Sequence, residues 1–143
     1  MQINLYNYST LFVYNPRTQN QWLVDNGTGA DVTYQLGTVF GRIDATGKLW
    51  PMDSTATDGS QKPIGVLAAT TVVPASSTNN PITLVIQGDV VAGWLIFING
   101  TDTLATTIAY DTSGDIIGTI NDILTGRGLL PIVSTEGTFY DNH

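Results

Sequence analysis

The sequence predicts a mainly β domain with one short C-terminal helix and an extended N-terminal arm, and three observations carry that reading. Only 12% of the 143 residues are charged while 42% are hydrophobic, about half the charged share usual in soluble globular chains. Thr, Val, Ile, Gly and aromatic residues recur throughout, a composition that suits a pleated, half-buried surface better than a helical bundle. Apolar residues alternate with period two along much of the chain, and helical spacing stands out at one place near the C-terminus. The hydrophobic share excludes charge-driven disorder, and the length fits one domain.

Residues 1–30 read as the arm and residues 31–143 as the β-rich domain. In the arm, Ile3 and Leu5 face one way and Tyr6 and Tyr8 the other, while Leu11 and Val13 oppose Phe12 and Tyr14. That alternation favours an extended segment that pairs as a strand. Such a segment fits either addition to a partner's open sheet edge or the first strand of the domain's own sheet. Asn15-Pro16-Arg17 is expected to break the pattern, and Asp25 to Gly29 to form a turn or hinge.

Short strand-like runs follow at 31–36, 38–43 and 47–52. The most strand-like are 64–73 and 82–87, joined by a Pro, Ser, Thr and Asn loop over 74–81. Asp58-Gly59-Ser60 signals a turn. The run 94–98 reads as a further strand ending at Asn99-Gly100, a dipeptide that favours a type I′ turn. Over 115–125, Ile116, Ile117, Ile120, Ile123 and Leu124 share one helical face. Thr112 is the expected N-cap, with Asp115 closing a capping box and Gly126 at the C-cap. Residues 129–133 complete the set as an edge strand carrying Pro131.

Chemistry is constrained chiefly by what is scarce. The net charge of −7 and five scattered basic residues offer no phosphate-binding cluster, so neither nucleic acid nor anionic membrane is an expected partner. There is no cysteine, hence no disulfide framework or thiolate zinc site. The longest apolar run, Val90 to Ile98, is too short to span a bilayer, and the opening MQINLYNYST lacks the basic region of a secretion signal. The single histidine, His143, is the last residue, a poor place for a rigidly oriented base. The acids are spread one per loop without calcium-loop spacing, so no metal and no cofactor is expected. A carboxylate pair formed by any two of the twelve acids is the only hydrolytic arrangement left to consider, one that loss of activity on changing Glu136 or Asp89 would have to support, and no catalytic residue emerges. Asn7, Asn26 and Asn99 match the glycosylation pattern but read as loop and turn residues. Trp50 with Pro51, and Trp94, fit a core or subunit interface better than a sugar-stacking platform.

The run Gly37-Thr38-Val39-Phe40-Gly41-Arg42-Ile43, followed by Gly47-Lys48, Asp53, Asp58-Gly59-Ser60 and Ile64-Gly65-Val66-Leu67, resembles the lambda D-like head decoration (capsid cement) proteins of tailed bacteriophages. The strand-like 82–91 and the Arg127-Gly128-Leu129 ending are similar to later parts of that family's pattern. The resemblance spans about residues 35–133, with 37–67 its most specific part. It implies a small barrel or tulip-like β fold, a non-enzymatic homotrimer, and a place on the outer surface of the capsid head, with the major capsid protein as partner. On this reading Ile3, Leu5, Tyr6, Tyr8, Leu11, Phe12 and Tyr14 dock the arm on coat-protein edges, while Trp50, Pro51 and Trp94 contribute to the trimer. A carbohydrate-binding or fibre-tip module is the alternative.

Overall fold

Strand β1 (Phe12–Val24) opens the computed structural model, which describes residues 12–109 and 116–133. Then come β2 (Val32–Tyr34), β3 (Val39–Arg42), β4 (Leu49–Pro51), β5 (Pro63–Leu67), β6 (Thr71–Val73) and the long β7 (Asn80–Val91). A 3-10 turn at Ala92–Trp94 leads through a loop to β8 (Thr107–Ala109) and β9 (Ile116–Thr119), and α1 (Ile120–Gly126) and β10 (Leu129–Ile132) follow. The expected mainly β class with one short helix is what the chain adopts.

Six strands form one sheet in the order β1-β4-β3-β5-β7-β10, and β1 turns back to pair with β7 as well. The curl does not make a true barrel. The parallel β1–β4 link is a single residue pair, Val24 with Leu49, because β4 is three residues long. The small antiparallel pairs β2–β6 and β8–β9 stand outside this sheet.

The period-two alternation fills a core on each face of the sheet. Val39, Val66 and Val85 join Ile108, Ile120, Leu124 and Leu129 in one cluster. Phe40, Ile64, Leu67 and Leu84 join Val24, Tyr34, Leu49 and Ile82 in the other. Every residue of β5 is buried, as expected of a strand covered on both faces. Tyr34 meets the Phe40 ring edge-on, with centroids 5.2 Å apart, the arrangement favoured by the quadrupoles of aromatic rings.

Four expectations are corrected. The run 64–73 is not one strand: the chain bends after Leu67, Thr70 Oγ1 accepts from the Leu36 N–H, and β6 pairs with β2. Residues 94–98 form no strand, being held by one parallel bridge between Thr38 and Ile96. Asn99-Gly100 is not a type I′ turn, since Gly100 has positive φ and Asn99 does not. Asn99 Oδ1 instead accepts the N–H groups of Thr101 and Asp102.

The fourth correction concerns the helix. It begins at Ile120, not Asp115, and Thr119 with Asp122 forms the capping box. Thr112 and Asp115 lie outside the described residues. Gly118 adopts φ 140°, a conformation an L-residue rarely takes, so 116–119 is drawn off as β9. At the other end Gly128, with φ 91°, takes the left-handed position expected of Gly126.

Candidate functional site

The surfaces open to a partner follow from how the curled sheet ends. Phe12 and Tyr14, assigned to a docking arm, instead start β1, paired with Val90 and Asp89 of β7. For residues 12–24 the domain's own sheet is therefore the answer to the choice left open by the alternation. Ile3, Leu5, Tyr6, Tyr8 and Leu11 lie outside the described residues. Pro16 does not end the strand. Asn15 and Pro16 bulge between the Tyr14–Asp89 and Arg17–Gln87 pairs, and pairing then resumes to Val24. A bulge is where a residue without an N–H costs a ladder least.

Among the described residues, β1 has a partner on its second edge only at Val24. That leaves a long sheet edge with unpaired backbone groups, a template for strand addition. Four register irregularities and Gln21 at φ 69° interrupt it. Such kinks discourage indiscriminate edge-to-edge pairing.

Of the expected interface residues, Trp50 is 45% and Trp94 46% exposed. They sit on different elements, β4 and the 3-10 turn. Pro51, expected beside Trp50 in an interface, is buried. Alternation along β4 turns Leu49 and Pro51 inward and Trp50 outward. Leu130 at 43% and Val133 at 88% add exposed apolar surface on and after β10, the other end of the sheet.

The acids mostly serve the loops that carry them. Asp53 accepts from the Thr55 N–H and hydroxyl, and Asp58 does the same for Ser60. These hydrogen bonds, with the side-chain bond first in each case, hold both carboxyls below the ordinary value. Asp25 is lowered chiefly by its 2.8 Å contact with Lys48 Nζ, then by the Asn79 N–H. Asp102 is buried and accepts the backbone N–H and hydroxyl of Ser54, pinning the 99–102 loop to the segment after β4. Asp89 lies within β7, and Glu136 is outside the described residues. No group of three or more His, Cys, Asp or Glu side chains converges on a metal position among the described residues.

Two features escaped the sequence reading. Asn26, read as part of a hinge, is a buried hub whose amide donates to the carbonyls of Ala30, Val73 and Pro74. The basic residues, scattered in the sequence, are gathered in part by the fold. Arg42 and Arg127 line one groove, and Arg17 reaches Gln87 on its wall. Neither grouping has a local sequence signal, because the partners come from distant strands.

Among the described residues the protein thus presents a curled, mainly β sheet with one edge of β1 largely unpaired, exposed aromatics and loop-bound acids. The family model described as bacteriophage lambda head decoration protein D matches residues 7–116. The chain belongs to that family, and it is a phage head decoration protein associated with the virion capsid. No curated protein matches it.

Proposed function

We propose that the protein binds the outer surface of the phage head as a homotrimer and bridges neighbouring coat subunits without catalysing a reaction. The family match over residues 7–116 is the observation that carries this reading. The physical requirements are modest. A ligand that binds only the assembled shell stabilises it by RT ln(1 + [L]/Kd), about 2.7 kcal/mol per site at a hundredfold excess over Kd. Three arms on one trimer make the later contacts intramolecular, raising avidity roughly 10²- to 10⁴-fold. A chain of net charge −7 suits the face turned away from packaged DNA.

In this reading the segment before β1, with Ile3, Leu5, Tyr6, Tyr8 and Leu11, is the docking arm, and β1 is the rigid base from which it extends. Trp50 and Trp94 supply apolar area between protomers. None of the described β1–β7 pairs involves residues 1–11, so removing them is the variant that tests the arm. The shortened protein is expected to keep a mass of three chains by light scattering and to lose co-sedimentation with undecorated, expanded heads. Unchanged sedimentation with the heads would remove the arm from the mechanism.

A further inference from the structure

The three arginines of this acidic chain are Arg17, Arg42 and Arg127; Arg42 and Arg127 line one groove, and Arg17 reaches Gln87 on its wall. The groove has a volume of about 380 Å³ and is lined by Arg42, Arg127, Gln19, Gln87, Trp22, Ile64 and Ile86. Its volume falls within the range typical of ligand clefts. Trp22, Ile64 and Ile86 belong to or pack on one core cluster, so the floor is apolar and the polar lining consists of donors and amides. No Asp or Glu among the described residues lines it. The ion pairs among the described residues involve the two lysines, not the arginines.

A second observation is independent of the arginines. The Trp22 indole N–H is shielded from water and has no acceptor among the described residues. A buried donor left unpaired costs about 1–3 kcal/mol, and the indole that carries it lines the groove. Gln19 and Trp22 also lie on the part of β1 whose second edge has no partner among the described residues, so the groove lies beside that edge.

We propose that this groove receives a single carboxylate side chain presented on an extended peptide segment of a partner protein, with Arg42 and Arg127 as its charged donors. The planar guanidinium fork matches a carboxylate with two parallel hydrogen bonds. The apolar floor accommodates the methylenes beneath the charge, and the free edge of β1 gives the peptide backbone a place to lie. One carboxylate suits the site better than a polyanion, because the net charge of −7 repels a long run of negative charge while a short-range fork still captures one group.

The test is an NMR titration of the full chain labelled with ¹⁵N, following the indole N–H resonances, with Trp22→Phe assigning that of Trp22. Three probes are used: the blocked tripeptide acetyl-Val-Glu-Val-amide, its Gln counterpart, and inorganic phosphate. The Glu peptide is expected to shift the Trp22 signal saturably, and the Gln peptide to bind at least about tenfold more weakly. An Arg42→Gln/Arg127→Gln variant is expected to lose about 10- to 100-fold in affinity. Both arginines are exposed, so the variant retains the fold and its dispersed spectrum. Equal binding of the Gln peptide, phosphate binding as tight as the Glu peptide, or no response up to about 10 mM would each overturn the proposal. No capsid is present, so the outcome is independent of the docking reading.

Discussion

Asn26 is buried at the turn after β1, and its side chain replaces secondary structure there. Its amide donates at 2.9, 3.0 and 3.1 Å to the carbonyls of Ala30, Val73 and Pro74, while its Oδ1 accepts from the Thr28 N–H and hydroxyl. The end of β1 is thereby tied to the last residue of β6 and the loop after it, across 47 and 48 positions of sequence. Burial also rules Asn26 out as a glycan acceptor in the folded state. Asn26→Ala removes the donors to one buried and two part-buried carbonyls, so it is expected to lower stability by about 2–3 kcal/mol in urea unfolding. Asn26→Asp keeps the acceptor and loses the donors, and is expected to be no better. A loss below about 0.5 kcal/mol for the alanine variant would show that water readily replaces the amide.

At the scale of elements, the junction of β9 and α1 shows how two residues decide a boundary. Five isoleucine and leucine positions fit a helical stripe from 116 onwards, yet α1 begins only at Ile120. Gly118 at φ 140° interrupts the helix, and Thr119 restarts it as N-cap by accepting from the Asp122 N–H at 3.1 Å. Of the stripe, Ile120 and Leu124 are buried, whereas Ile117 is 40% exposed. Gly118→Ala is expected to cost about 1–3 kcal/mol, because the new Cβ meets Asp122 Cβ at 3.3 Å in an unfavoured conformation. Thr119→Ala is expected to cost about 1 kcal/mol through the lost cap. Chemical unfolding of the two variants checks the order, and a neutral or stabilising Gly118→Ala would contradict the boundary.

For the whole molecule, acid is the informative perturbation. Asp25, Asp53 and Asp58 all have carboxyl pKa values lowered by hydrogen bonds made in the folded state, and Lys48 adds charge at Asp25. Lowered folded values mean that the unfolded chain binds protons more readily. Their stabilisation is therefore complete above the unfolded value near 4 and disappears as pH falls through the folded values. Thermal unfolding between pH 7 and pH 5 is expected to change little on their account, then to drop below pH 4. The Asp53→Asn/Asp58→Asn variant is expected to show a shallower acid drop than the parent chain. An equally steep drop would place the acid sensitivity in other groups. Because the groups are half-exposed or exposed, the effect is screened and shrinks with added salt.

Composition and alternation were enough to determine the β class, the polar turns and most strand positions, because side-chain period and turn chemistry are local properties. The motif run from Gly37 to Leu67 also carried the family resemblance, in residues that form β3, β4 and β5. Tertiary structure alone decided the rest. Pairing of β1 with β7 claimed Phe12 and Tyr14 for the domain's own sheet, and packing decided that the face of β4 carrying Leu49 and Pro51, not the one carrying Trp50, is covered. The split of 64–73 into two sheets, the buried hub at Asn26 and the arginine-lined groove likewise arise between residues far apart in the chain. A periodic pattern states which residues share a face, but which neighbour covers that face is set by the long-range packing that closes the sheet.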